Sequence, residues 1–205
     1  MDTKPKISVI VPFHWMKDWQ FFLTRCLGSI EQQSFKDYEV ILTKSGKMAE
    51  NTNRAIQCAK GEIIKILYMD DYLAHPESLK NIAENFKGGW LVTGCVHNFG
   101  DGIMKKPHFA RYEGVLPSSK IVNSIGSPSV LAFENKDPLL FDENMTWVLD
   151  VDYYQRLLKR YGPPTILDSY DVVMGCGDHQ ITHIISEETK RLEEKYLINK
   201  LDGKS

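Results

Sequence analysis

The stretch "EIIKILYMDDYL", Glu62 to Leu73, joins an apolar, β-branched run to two adjacent acids. Its first half has the composition of a strand driven into a core. Asp70 and Asp71 then arrive between two tyrosines, with Pro76 close behind. Upstream, "KISVIVP" (Lys6 to Pro12) reads as a buried strand stopped by proline, and "YEVIL" (Tyr38 to Leu42) as a second strand. Between them Asp18 can cap a helix in which Phe22, Leu23, Cys26, Leu27 and Ile30 recur at helical spacing. Another helix is predicted over Glu50 to Ala59, with Gly61 at its C-terminal end. A third lies near Pro76 to Phe86, before a strand in "GGWLVTG". This alternation predicts an α/β fold with a mostly parallel sheet flanked by helices. Ligands in such sheets bind outside the carboxyl ends of the strands. That places Pro12 to Trp15, Thr43 to Lys47 and Asp70 to Tyr72 around one crevice.

After Gly94 the rhythm breaks. "NFGDGIMKKPHFARYEG" reads as loops or a small hairpin, "SPSVLAF" as a strand, "LDVDYYQRLLKRYG" as a helix and "YDVVMGC" as a last strand. Ser186 to Leu201 is a charged amphipathic helix with Leu192, Tyr196, Leu197 and Leu201 on one side. The boundaries are then 1–185 for one domain, with halves 6–98 and 99–185, and 186–205 for a helical tail. Packing on the domain, a homodimer and a membrane surface are the uses open to the tail; its mixed charge favours the first two. The 205 residues suffice for a core without staples. With 25 basic against 27 acidic residues, a nucleic-acid partner is disfavoured. No run approaches the roughly 18 apolar residues of a membrane span, and "MDTKPK" lacks a signal peptide's apolar core, so a cytoplasmic chain is expected. Cys26, Cys58, Cys95 and Cys176 form no CxxC pair and read as reduced, mostly packed thiols rather than disulfides or a zinc site.

Neighbouring side chains in an extended chain point to opposite sides, so Asp70 and Asp71 need not share a role. One can face the crevice and hold Mg²⁺ or Mn²⁺, hard cations that take one or two carboxylates and complete their shell with phosphate oxygens and water. Capping of the next helix, or plain solvation, is the alternative. Further on, ~100° per residue places Val151, Tyr154, Leu157, Leu158 and Tyr161 on one stripe. Asp150 lies near that stripe, aimed inward, where the positive end of the helix would hold it ionised. Asp152 falls almost opposite, a solvated charge paired with Arg156 and worth about 0.3 kcal/mol. "HQITH" sets His179 and His183 four apart, on one face if helical, with Gln180 where a zinc hydrolase has Glu.

"ISVIVPFH", "CLGSIEQQSFKDYEVIL" and "TNRAIQCAKGEIIKILYMDDYLAHPESL", in that order, resemble the nucleotide-binding half of family-2 glycosyltransferases, which have the GT-A fold. That family commonly has "N-R-G-I-x-x-A-x-G-E-Y-I-x-F-L-D-A-D-D" here, matched by Asn53, Arg54, Ala55, Ile56, Ala59, Gly61 and Glu62. "GSPSVLAF", "FDENMTWVLDVDYYQRLLKRYG" and "DHQITH" extend the resemblance to His183. It implies a metal-dependent, inverting transfer of a sugar from a nucleotide diphosphate donor, UDP favoured, to the hydroxyl of a saccharide or lipid-linked acceptor. The rival readings are a nucleotidyltransferase and a decayed nucleotide-binding protein. The resemblance puts Asp70 on the metal-coordinating acid of D-x-D, with Tyr68 replacing the first acid. It makes Asp150 the general base and His179 a second metal-side residue. Donor contacts are implied for Pro12, His14, Thr43, Asn53, Arg54, Met69, Asp70 and Asp71, and acceptor contacts for Ser127 and Trp147. His14, Trp147 and His179 also have plain structural readings. Where the family has "D-D-G-S" against the nucleobase, this chain has Thr43, Lys44, Ser45 and Gly46.

Overall fold

The computed structural model describes residues 4–100, 102, 104–111 and 121–203. Strand β1 (Ile7–Pro12) is buried throughout, because parallel neighbours and helices cover it on every side. Helix α1 (Trp19–Glu31) follows. Asp18 precedes it with φ 59°, and its side chain makes no capping bond. Strand β2 (Tyr38–Thr43) pairs with β1 at the sheet edge and leaves Val40 and Leu42 exposed. Helix α2 (Met48–Cys58) starts two residues before the sequence pattern suggests, where the Glu50 carboxylate accepts the Lys47 amide at 2.8 Å. Gly61 does not serve as a left-handed helix stop. It lies where the chain crosses β1, and a Cβ there would stand 2.5 Å from the Ser8 nitrogen.

Strand β3 (Ile63–Ile66) is buried end to end, including Lys65, which donates to the Ser129 carbonyl. Burial pulls this ammonium down to about 7 against the attraction of Asp171 and Asp71. Short β4 (Tyr72–Leu73), helix α3 (Ser78–Asn85) and strand β5 (Trp90–Asn98) follow. Strand β6 (Met104–His108) folds back on β5, so the irregular segment contains a hairpin; residues 101, 103 and 112–120 of that region lie outside the described residues. The predicted strand in "SPSVLAF" divides. Pro128 opens a 3-10 turn (Pro128–Val130), capped by the Ser127 hydroxyl, and only Leu131–Glu134 extends as β7. Helix α4 (Leu149–Tyr161), strand β8 (Thr165–Gly175), a single turn α5 (Ile181–Ile184) and helix α6 (Glu187–Leu201) complete the order.

The strands line up as β2-β1-β3-β7-β5-β8-β4, with β6 beside β5. The sheet is mixed rather than mostly parallel. β7 runs antiparallel to both β3 and β5, between strands the alternating pattern would make neighbours. β4 and β6 are also antiparallel to their partners. Strand β5 is parallel to β8, so β1, β3, β5 and β8 all direct their C-terminal ends toward one side of the sheet.

The tail corrects two sequence readings. Its packed face is Glu193 and Leu197, whereas Leu192 is 62% exposed and Leu201 is also exposed. Helix α6 therefore covers Asp152, which is 1% exposed and paired with both Arg156 (2.7 Å) and Lys200 (2.8 Å). Asp152 is a buried anchor, not a solvated charge. All four cysteines are free, with Cys26 and Cys95 buried. No helix among the described residues is long and apolar enough to cross a membrane.

Candidate active site

A cavity of about 240 Å³ opens at the C-terminal ends of β1, β3 and β8. Nine of the twelve residues singled out from the sequence line it: Pro12, His14, Met69, Asp70, Asp71, Ser127, Trp147, Asp150 and His179. The acidic pair does divide its work. Asp71 is 2% exposed and accepts the Gly175 amide at 2.8 Å, tying the end of β3 to the end of β8. Burial, and then the Asp70 charge, push its carboxyl up to about 8. Asp70 is half-buried, and its Oδ2 lies 3.2 Å from His179 Nε2. This carboxylate raises the His179 pKa. The Asp70 carbonyl accepts Arg25 Nη2 at 2.6 Å, and the guanidinium lies 4.4 Å from the centre of the Tyr72 ring. Gly175 permits the approach: a Cβ there would stand 2.2 Å from the Asp70 carbonyl oxygen.

Asp150 sits in the first turn of α4, half-buried. Its Oδ2 accepts Asn123 Nδ2 at 2.6 Å and its Oδ1 accepts the Val151 amide at 2.7 Å. Loss of solvent outweighs both bonds and raises the carboxyl to about 6. The helix start thus does not dominate its ionisation, yet the group remains largely ionised at neutral pH.

Three expected residues lie elsewhere. Thr43 is buried, with its hydroxyl on the Asn51 carbonyl. Asn53 fastens the segment before α4: it accepts the Phe141 amide at 2.7 Å and donates to the Phe141 carbonyl and the Glu143 carboxylate. Arg54 is exposed and outside the cavity. His183 is exposed, and His179 precedes the short α5, so the two imidazoles share no helix face. Among the described residues no group of three or more His, Cys, Asp or Glu could hold a metal. Asp70 and His179 would offer two ligands to a hard cation whose remaining positions go to phosphate and water.

Sequence reading missed Asn51 and Asn123. Asn51 lines the cavity and bridges the β1 and β2 ends, donating to the Phe13 carbonyl and accepting the Ser45 amide. Its place in the first turn of α2, beside the strand ends, was the available signal. Asn123 had none, because its contact with Asp150 spans 27 residues. Within "TKSGK", Lys44 is directed outward: its Nζ rests 3.7 Å from the centre of the Trp15 ring, which is 59% exposed.

The fold is that of TarS from S. aureus. The 1–349 fragment of TarS in complex with UDP superimposes with a TM-score of 0.65 at 16% identity, covering 94% of this chain and 64% of that one. Its complex with UDP-GlcNAc gives 0.65 at 17%, covering 94% and 65%. A longer TarS structure gives 0.63 at 16%, covering 97% of this chain and 43% of the other. The chain thus spans a little under two thirds of the shorter TarS fragment. No protein-family model and no curated protein sequence matches it.

Proposed function

We propose that this chain is a glycosyltransferase of the GT-A fold, moving a hexosyl or N-acetylhexosaminyl group from a UDP-sugar to an acceptor hydroxyl with inversion. One observation carries the reading: the Asp70–His179 pair and Asp150 open into a single cavity at the strand ends. The fold shared with TarS, itself seen with UDP and UDP-GlcNAc, supports a sugar nucleotide as the ligand. Among the described residues the cavity lining includes no Lys or Arg. A diphosphate entering it therefore meets carboxylates and the imidazoles of His14 and His179, with no permanent cation to neutralise it. Asp70 and His179 would hold Mn²⁺ or Mg²⁺, which supplies that charge and eases departure of the nucleoside diphosphate.

Asp150 takes the proton of the acceptor hydroxyl. A carboxyl held near 6 is mostly ionised at neutral pH and more basic than a free aspartate, the compromise general-base catalysis favours. Inversion is taken from the resemblance to family-2 glycosyltransferases: a single displacement, with the acceptor deprotonated at Asp150 and the leaving group held at Asp70, would invert the anomeric carbon. Trp147 offers the acceptor, a saccharide or lipid-linked sugar, an aromatic wall. We place the protein in the cytoplasm, with membrane contact limited to its surface. A homodimer through α6 would use the exposed Leu192 side, since Leu197 is occupied by its own domain.

The test is UDP-GlcNAc binding and turnover with Mn²⁺. Asp150→Asn is expected to lower turnover by ~10²–10⁴ with donor affinity nearly unchanged, and Asp70→Ala or chelation to abolish both metal dependence and transfer. Undiminished turnover after chelation would overturn the metal assignment. A fully active Asn variant would remove Asp150 from the chemistry, and release of pyrophosphate instead of UDP would make the protein a nucleotidyltransferase.

A further inference from the structure

Helix α4 carries the proposed base but lacks its own cap. The residue at the capping position is Val148, which has no acceptor, and the first amides of any helix need one. The Val151 amide is taken by Asp150 Oδ1, and the three residues that lead into the helix are held from α6. The Glu193 carboxylate, 7% exposed, takes the amides of Thr146 (2.9 Å), Trp147 (2.7 Å) and Val148 (3.3 Å). Two of those residues, Thr146 and Trp147, line the cavity beside Asp150. Helix α6 holds the same region at a second point. Lys200 joins Asp152 of α4 at 2.8 Å and Asp142 at 2.6 Å, while the Tyr196 hydroxyl donates to Asp142 at 3.1 Å. Leu197, fully buried, supplies the apolar contact between these two polar grips.

We infer that α6 is part of the active-site framework, with Glu193 a positioning residue that fixes the start of α4 and so aims Asp150 and Trp147 into the cavity. The inference rests on the reading of Asp150 as base. A carboxylate at a helix start satisfies several amides at once and favours the positive end of the helix dipole. Without it the 146–148 segment that sets the start of α4 loosens, and a small displacement of a base has a large effect on rate. Donor binding depends on Asp70 and the β3 end, which Glu193 does not touch, so the effects on turnover and on donor affinity separate.

The experiment compares the full chain with Glu193→Ala and Glu193→Gln, reading UDP release from UDP-GlcNAc with Mn²⁺ and water as acceptor. Thermal melts identify the temperatures at which each variant is folded. The Ala variant is expected to lose about tenfold or more in kcat, while the donor KM moves less than about twofold. Gln, which keeps one acceptor oxygen, recovers part of the loss. In an Asp150→Asn background the Ala change leaves the residual rate within about twofold. Amide exchange at residues 146–149 accelerates by about tenfold or more in Glu193→Ala, with β1 unaffected. Unchanged kcat, a KM rising in step with the loss, or an equal loss in the Asp150→Asn background would overturn the inference. If the unmodified chain turned over no UDP-sugar, the functional reading would fail by itself. The exchange data would still decide, and unchanged exchange at 146–149 would refute the positioning role.

Discussion

The pH dependence of turnover offers a quantitative check on Asp150, through Asn123. Asn123 is exposed and donates to Asp150 Oδ2 at 2.6 Å, a bond only the ionised carboxyl accepts fully. A hydrogen bond to a charged group is worth about 1.5–3 kcal/mol. Water entering at this exposed position returns roughly half, so Asn123→Ala leaves the carboxylate short by about 1.4 kcal/mol, or about one pKa unit. The bond favours the charged form, so its loss raises the pKa from about 6 toward roughly 7. The ionised fraction at pH 6 then falls from about one half to about one eleventh, a loss of about fivefold in kcat. At pH 8 the same change costs about a tenth of the rate or less. The assay is UDP release from saturating UDP-GlcNAc with Mn²⁺ between pH 5 and 9. The substitution also frees the Ile125 and Gly126 amides, which Asn123 holds at 3.0 and 2.9 Å. A disordered loop by itself would lower the whole profile without moving its acid limb upward. A limb that stays in place, or moves to lower pH, refutes the assignment of that limb to Asp150.

Asp152→Ala is expected to cost about 2–3 kcal/mol in urea unfolding, because it strips Arg156 and Lys200 of a buried partner. The value for an exposed helix pair, about 0.3 kcal/mol, would show that α6 does not seal this face. Tyr68→Phe removes a buried hydroxyl that has no hydrogen-bond partner of acceptable geometry. The free protein should become about 1 kcal/mol more stable, raising Tm by roughly 2–4 °C; a drop in Tm would mean that the hydroxyl has a partner. Gly175→Ala forces a Cβ against the Asp70 carbonyl and should weaken Mn²⁺-dependent UDP binding by about tenfold. Calorimetry showing unaltered affinity would count against the close seating of the β3 and β8 ends.

What the sequence made legible was local. β1, the helix at Leu149–Tyr161 and the crevice at the strand ends each follow from periodicity or from a stop signal within a dozen residues. What it concealed was long-range. Nothing in "SPSVLAF" says that the strand will enter between β3 and β5 in reverse, since that choice is made by pairing over roughly 40 residues to β5 and 70 to β3. Helical angles placed Asp152 away from the apolar stripe of α4, and so in solvent. The tail supplied a second packing surface that no angle on α4 could reveal. Asn53 and Arg54 carry the resemblance to known transferases, yet Asn53 works as a fastener for Phe141. A residue that holds a loop leaves the same kind of trace in a motif as one that holds a ligand.

The end of β3 shows why two acids can follow a buried strand without conflict. Asp71 turns inward, where the Gly175 amide holds it and burial favours its protonated form near neutral pH. Asp70 turns toward the cavity and meets an imidazole whose proton affinity it raises. Tyr68, at the position of the first acid of the D-x-D pattern, contributes a phenol that burial keeps neutral. The cavity therefore presents Asp70 beside His179, and the largely ionised Asp150, with His14 also in its lining. UDP adds further negative charge on its two phosphates, which a single divalent ion offsets only in part. A further ionised carboxylate at position 68 would deepen that surplus. By this account Tyr68→Asp should weaken UDP binding at fixed Mn²⁺, and most steeply at low ionic strength, where repulsion is least screened. Tighter binding by that variant would mean that the cavity has room for more positive charge than Asp70 and His179 can gather.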